Sequence, residues 1–368
     1  MVGRPDVSLP FYEQAATQAR AAAGAGGEGA RPAWSDLAAI TGNWAIALRY
    51  VGNLDAARQR QLEAAEAEKH AGHPAIHVIG RELAALRIDI MQGRVDPALP
   101  QVEARLAKVE QWWQRHRSDQ PVPEAPDAEF LARAFISALD IATDADFSRN
   151  DWASALRRLD ATLEVKRALE RPAEDIGATR MNRAVVLGRL RRFGEARAEL
   201  EACLQLFQND PAMSAKVLGS LADLFDEQGD VAQAITQQRR ALALREQLPD
   251  PADRAISHNN IANYLERHGT PSALAESARH QLAALTYRLV AGLGQHLQNS
   301  LRNYAIDFRR ARAAGTELAV PRVAQLLADP AFAPLDQWLR QRQKSVSELQ
   351  TEVDDLLAQA RQAAQAKP

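Results

Sequence analysis

The feature that most constrains this chain is a recurring pattern of two apolar helical stripes separated by a glycine stop. It is best formed in Lys216–Leu244, KVLGSLADLFDEQGDVAQAITQQRRALAL. There Leu218, Leu221, Ala222 and Phe225 advance by three, one and three, which is one face of a helix with about 3.6 residues per turn. Gly229 ends that helix, since glycine takes the left-handed conformation at little cost, and Asp230 suits the start of the next. A second stripe follows in Val231, Ala234, Ile235, Gln238, Ala241 and Leu242. So short a turn brings two antiparallel backbones together, so the small Ala222 and Ala234 matter as much as the large residues. The unit is a helical hairpin.

Its recurrence makes the pattern an architecture. Equivalent offsets hold Ala184, Leu187, Phe193, Ala196, Leu200 and Cys203 upstream, and Ala262, Leu265 and Gly269 downstream. Ala305 and Phe308 mark a further unit, and Ala45, Leu48, Gly52, Ala57 and Ala64 mark one near the start. Residues 75–117, turning at Gly93-Arg94, and 128–169, turning at Asn150-Asp151, read as two more with slipped spacing. The small residue, aromatic, glycine and alanine at Ala222, Phe225, Gly229 and Ala234, with Ala241 seven later, resemble the tetratricopeptide repeat. The key alanines at 184, 222, 262 and 305 lie 38, 40 and 43 residues apart. That exceeds the standard ~34, so the units are similar to the longer repeats of kinesin light chains. The resemblance implies an all-α, right-handed superhelical solenoid of antiparallel helix hairpins, about seven of them plus a C-terminal capping helix.

This reading divides the chain into segments. Residues 1–33 are an orphan N-terminal helix, at 8–23, with a Gly-rich loop; 34–117 hold the first two hairpins. Residues 118–127 are a Pro-rich connection where helix is forbidden, a bend or flexible junction; 128–315 continue the hairpins, and 316–368 supply capping helices. A solenoid normally ends in a polar cap. The orphan helix is therefore expected either to need a partner or to mark a piece of a longer protein. A short helix is expected from Pro321 to Leu327, and Ser345 with Glu348 forms a capping box for the last helix.

Composition removes several functions. Aromatics make up only 5% and the net charge is −2, which disfavours nucleic acid and anionic membrane as partners. No apolar run reaches membrane-spanning length, and the single cysteine, Cys203, falls at a small buried site, so the expectation is a cytoplasmic protein with an inert thiol. His73 and His77 are four apart, a zinc-compatible spacing, but Pro74 puts His73 outside the helix and no nearby carboxylate or thiol completes a ligand set. Asp140, Asp144, Asp146 and Asp151 lack the glycine and terminal glutamate of a calcium loop, and are expected to decorate a helix end. Phosphate loops, nucleophile elbows and HExxH helices are absent. The expectation is no enzyme, no cofactor and no metal.

What remains is the inner face of the first helices, six and three residues before the small residue and one, four and five after it. It carries Lys216, Asp223, Asp226 and Glu227 in the reference unit, then Asn259, Asn263, Glu266 and Arg267, then Asn299, Arg302, Arg309 and Arg310, turning from acidic to basic. The first complete unit presents Arg49 and Tyr50. Asn43, Asn182, Asn260 and Asn303 recur two before the small residue. Resemblance to the longer repeats implies that such amides hold the backbone of an extended peptide; bridging between adjacent hairpins is the equal alternative. The candidate partner-binding residues are thus Asn43, Asn182, Asn259, Asn260, Asn263, Arg267, Asn299, Arg302, Asn303 and Arg309. A carboxylate clamp is missing, because Lys216 is followed four later by Ser220. The expected function is a non-catalytic scaffold for a protein or peptide, with the regulatory or sensor part of a larger signalling protein as the alternative.

Overall fold

The computed structural model describes residues 5–27, 29–313 and 315–365, and among them every regular element is helical. The chain forms two compact units, residues 1–190 and 191–368. The first holds α1 (Pro5–Gly24), α2 (Ala30–Tyr50), α3 (Leu54–His70), α4 (Ala75–Met91), α5 (Val95–Arg117), α6 (Ala128–Arg149), α7 (Trp152–Ala168) and α8 (Ala173–Arg189). The second holds α9 (Phe193–Leu206), α10 (Pro211–Glu227), α11 (Val231–Arg245), α12 (Pro251–His268), α13 (Pro271–Val290) and α14 (Gly294–Ala313). It closes with α15 (Val323–Leu327), a 3-10 turn at Pro330–Phe332, α16 (Ala333–Gln341) and α17 (Val346–Gln365).

In the first unit, aspartate and asparagine start helices by accepting from free backbone amides: Asn53 from Ala56, Asp127 from Phe130 and Asp151 from Ser154. α1 packs on α2, with Ala16 and Ala19 buried beside Leu37 and Ala38. The largest core joins α4, α5 and α6 through Ile76, Leu83, Val102, Val109, Trp113 and Phe135. Each large apolar side chain fully withdrawn from water contributes about 1.5–3 kcal/mol.

Two expectations change here. Residues 118–127 are non-helical but pinned, since Ile76 donates its amide to Glu124 O at 3.1 Å and Arg115 pairs with the Glu124 carboxylate at 2.7 Å. Asp146 does not decorate a surface. It is 2% exposed and takes Arg158 Nε at 2.6 Å.

The second unit repeats the reference hairpin. Asp210 caps α10 ahead of Pro211, Gly229 takes φ +82°, and Asp230 caps α11. Ala222, Ala234, Ala241 and Cys203 are all at 0% exposure. Buried arginines at the ends of second helices reach hydroxyls on the next first helix: Arg245 to Ser257 at 2.8 Å and Arg288 to Ser300 at 2.5 Å.

α14 has no second helix directly after it. α17 instead lays Leu349, Val353, Leu357 and Ala360 into the core that α14 lines with Leu301, Tyr304 and Ala305. Arg361, late in α17, stacks over Phe308, late in α14. α15 starts two residues past Pro321, and Glu348 N reaches Ser345 Oγ only at 3.5 Å.

Candidate functional site

The first helices α10, α12 and α14 place their polar residues one repeat out of step with one another, and this offset ties neighbours together. Arg267, five past Ala262, pairs with Asp226, four past Ala222. Arg310, five past Ala305, approaches Glu266, four past Ala262, at 3.6 Å. The acidic and basic stripes read from sequence therefore meet across adjacent hairpins. Tyr264 completes the α10–α12 joint by donating to Asp223 Oδ1 at 2.5 Å, and burial beside that carboxylate pushes its hydroxyl pKa up.

The α12–α14 joint holds a pocket of about 300 Å³. α12 lines it with Asn263, Glu266 and Arg267, α13 with Gln281, and α14 with Asn303, Ile306, Asp307 and Arg310. Gln281 comes from a second helix and donates its amide to both carboxylates, to Glu266 and to Asp307 at 2.9 Å. Ser277 adds a bond to Glu266 at 3.3 Å. Burial, with Asp307 next, pushes the Glu266 carboxyl up; burial does the same to Asp307. Arg310 stands 3.8 Å from Asp307, with its side chain 71% exposed.

Of the candidate residues, the structure brings Asn263, Arg267 and Asn303 into this pocket. Asn259 lies beside it and accepts from Asn303 Nδ2 at 3.3 Å, so Asn303 bridges adjacent hairpins. Asn260 is half-buried on α12 outside the lining, and Asn299, Arg302 and Arg309 are exposed along α14. Asn43 on α2 and Asn182 on α8 are exposed in the other unit. Gln281 and Asp307 escaped the sequence reading. Asp307 left a signal, because the residue two past the small one is Leu224 or Tyr264 in the other repeats of this unit, and a carboxylate there breaks the pattern.

His73 sits outside α4 as the spacing predicts, but a carboxylate is nearby after all. Glu68 contacts His73 Nδ1, and Ser35 Oγ lies 2.9 Å from Nε2. Among the described residues, no cluster of three or more His, Cys, Asp or Glu side chains is placed to hold a metal ion. No helix among them is long and apolar enough to cross a membrane.

Residues 175–247 match the tetratricopeptide repeat family. No curated protein matches the chain in sequence. Among solved structures, it is similar to BtubC (BKLC) from P. vanneervenii at 15% identity and TM-score 0.41, over 79% of this chain and 93% of that one. The apo form of RapI gives 12% identity and TM-score 0.48, over 84% and 87%. Yeast Tom70 gives 14% identity and TM-score 0.46, over 95% of this chain and 63% of that one.

Proposed function

We propose that this chain, built on tetratricopeptide repeats, is a non-catalytic interaction module that docks an extended segment of a partner protein on the first-helix face of α12 and α14. The observation that carries this reading is the polar pocket at the α12–α14 joint. Here amides with spare donors and acceptors, Asn263 among them, surround a cavity wide enough for a side chain.

The test is selection of a displayed random 12-residue peptide library on the full chain, with the triple variant Asn260→Ala, Asn263→Ala and Arg302→Ala as comparison. Peptides are expected to enrich on the native chain and to lose at least tenfold in binding on the variant, at unchanged helical content. Absence of enrichment, or equal binding to the variant, refutes the assignment.

A further inference from the structure

The two joints between first helices differ in charge. At α10–α12 the carboxylate of Asp226 has Arg267 against it, and Asp223 is met by a phenol. At α12–α14 the residue equivalent to Tyr264 is Asp307, so two carboxylates, Glu266 and Asp307, share one neutral amide. Arg267 is committed to Asp226, leaving Arg310 as the cation that faces them, at 3.6 and 3.8 Å and without a hydrogen bond. The pocket floor is therefore one positive charge short, and its Glu266 and Asp307 side chains remain 23% and 12% exposed.

We propose that this pocket receives a lysine or arginine side chain from the docked peptide, with Glu266 and Asp307 as acceptors and Arg310 as the chain's own occupant, which the incoming cation displaces. The inference rests on the docking reading above and names the chemistry of its anchor. Arg310 already shows that a guanidinium can stand at the pocket mouth. An incoming guanidinium reaching deeper bonds both carboxylates at once, and such charge-assisted pairs are stronger than neutral ones. Ile306 and the stems of neighbouring side chains pack the aliphatic part of the anchor. The raised carboxyl pKa values fit the same account, since under-compensated buried anions are stabilised when a cation arrives.

The peptides enriched on the full chain supply the test. A basic residue at one fixed position in the enriched set is expected. Replacing it by citrulline, which keeps the shape of arginine and removes its charge, is expected to weaken binding at least tenfold. Glu266→Gln and Asp307→Asn keep the hydrogen-bonding geometry with Gln281 and are expected to weaken the same peptides by a similar factor. Arg310→Ala, on the exposed rim, is expected to tighten them severalfold. Enriched peptides that bind equally well with citrulline overturn the cationic anchor while leaving docking intact. Tightening by Glu266→Gln, or weakening by Arg310→Ala, overturns it too. No enrichment of any peptide overturns both readings.

Discussion

The two units bury their charges in different company. In the first, buried carboxylates meet guanidinium groups: Asp146 with Arg158, Asp89 with Arg58 and Arg94, Glu68 with Arg81. In the second, buried arginines meet neutral oxygens. Arg245 and Arg288 reach serines, and Arg254 gathers the carbonyls of Arg245 and Leu248 at the end of α11, where the helix dipole is negative. Paired opposite charges lock geometry, but each becomes a liability when its partner goes. A cation on neutral carbonyls and hydroxyls leaves no buried opposite charge behind when it is removed. The same contrast separates the joints of the candidate face, where Asp226 has its arginine and Glu266 with Asp307 are served by an amide.

The largest effect is therefore expected in the first unit. Asp146→Ala leaves Arg158, whose side chain is 16% exposed, with only the more exposed Glu103 at 3.1 Å, and removing one member of a buried pair costs about 3–5 kcal/mol. Burial outweighs Arg158 and pushes the Asp146 carboxyl up, so the pair adds little net stability. The double change Asp146→Leu with Arg158→Met is accordingly expected within about 1–2 kcal/mol of the native chain in urea unfolding. A single variant as stable as the double one would remove the basis of the contrast.

Next in size is packing within the second unit. Ala234, at 0% exposure, lies in one core with Ala222 and Phe225 of α10, and Ala234→Leu is expected to cost about 1–3 kcal/mol by overpacking. In a repeat array that damage reaches the neighbouring hairpin, so hydrogen exchange should rise in α12 as well as in α10 and α11. Exchange confined to α11 would separate the hairpins energetically. Arg245→Met follows at about 1–2 kcal/mol, because Ser257 keeps its bond from Gln238 Nε2 at 3.2 Å. A cost as large as that of Asp146→Ala would mean that removing a buried arginine from neutral partners is as damaging as breaking a buried ion pair.

What the sequence makes legible follows from the range of the forces involved. Ala222, Ala234, Gly229 and Asp230 act within one hairpin, so spacing alone locates helices, turn and caps. The pairing of Arg267 with Asp226 spans 41 residues, and neither its existence nor its direction is visible in a stripe read one helix at a time. Gln281 was invisible for a further reason. It belongs to a second helix, and whether such a side chain reaches the first-helix face depends on the splay of the hairpin. The C-terminal part was hardest, because α17 returns to α14 across the short pieces between Gly315 and Ser345, and no local periodicity encodes that return.

The smallest effect comes from acid, and it too divides the units. His258 and His280 share a hydrogen bond, Nδ1 to Nδ1 at 2.8 Å, and both are buried under Phe332, with Tyr287 against His258. Burial pushes both imidazoles below their usual range, His258 furthest, with His280 adding to its shift. The charged groups around the pair are Glu276, 3.6 Å from His280 Nε2, with Arg239 on Glu276, Arg279 paired to Asp329, and Arg254 over Tyr287. Glu276 opposes the shift of His280, and the arginines favour it. Because the folded pKa values are depressed, the unfolded chain takes protons first as pH falls through about 6.5. The stability present above that pH is lost progressively below it. Between pH 7.5 and 5.5, hydrogen-exchange protection in α12 and α13 is expected to fall a few-fold, while α6 and α7, which contain no histidine, hold theirs. His258→Gln leaves a single imidazole and is expected to shrink the difference. The raised carboxyl of Asp146 in α6 takes its proton in the folded state first, so acid costs it nothing; equal losses in both pairs of helices would show that the loss does not come from the two histidines, and the contrast between the two kinds of buried charge would not extend to pH.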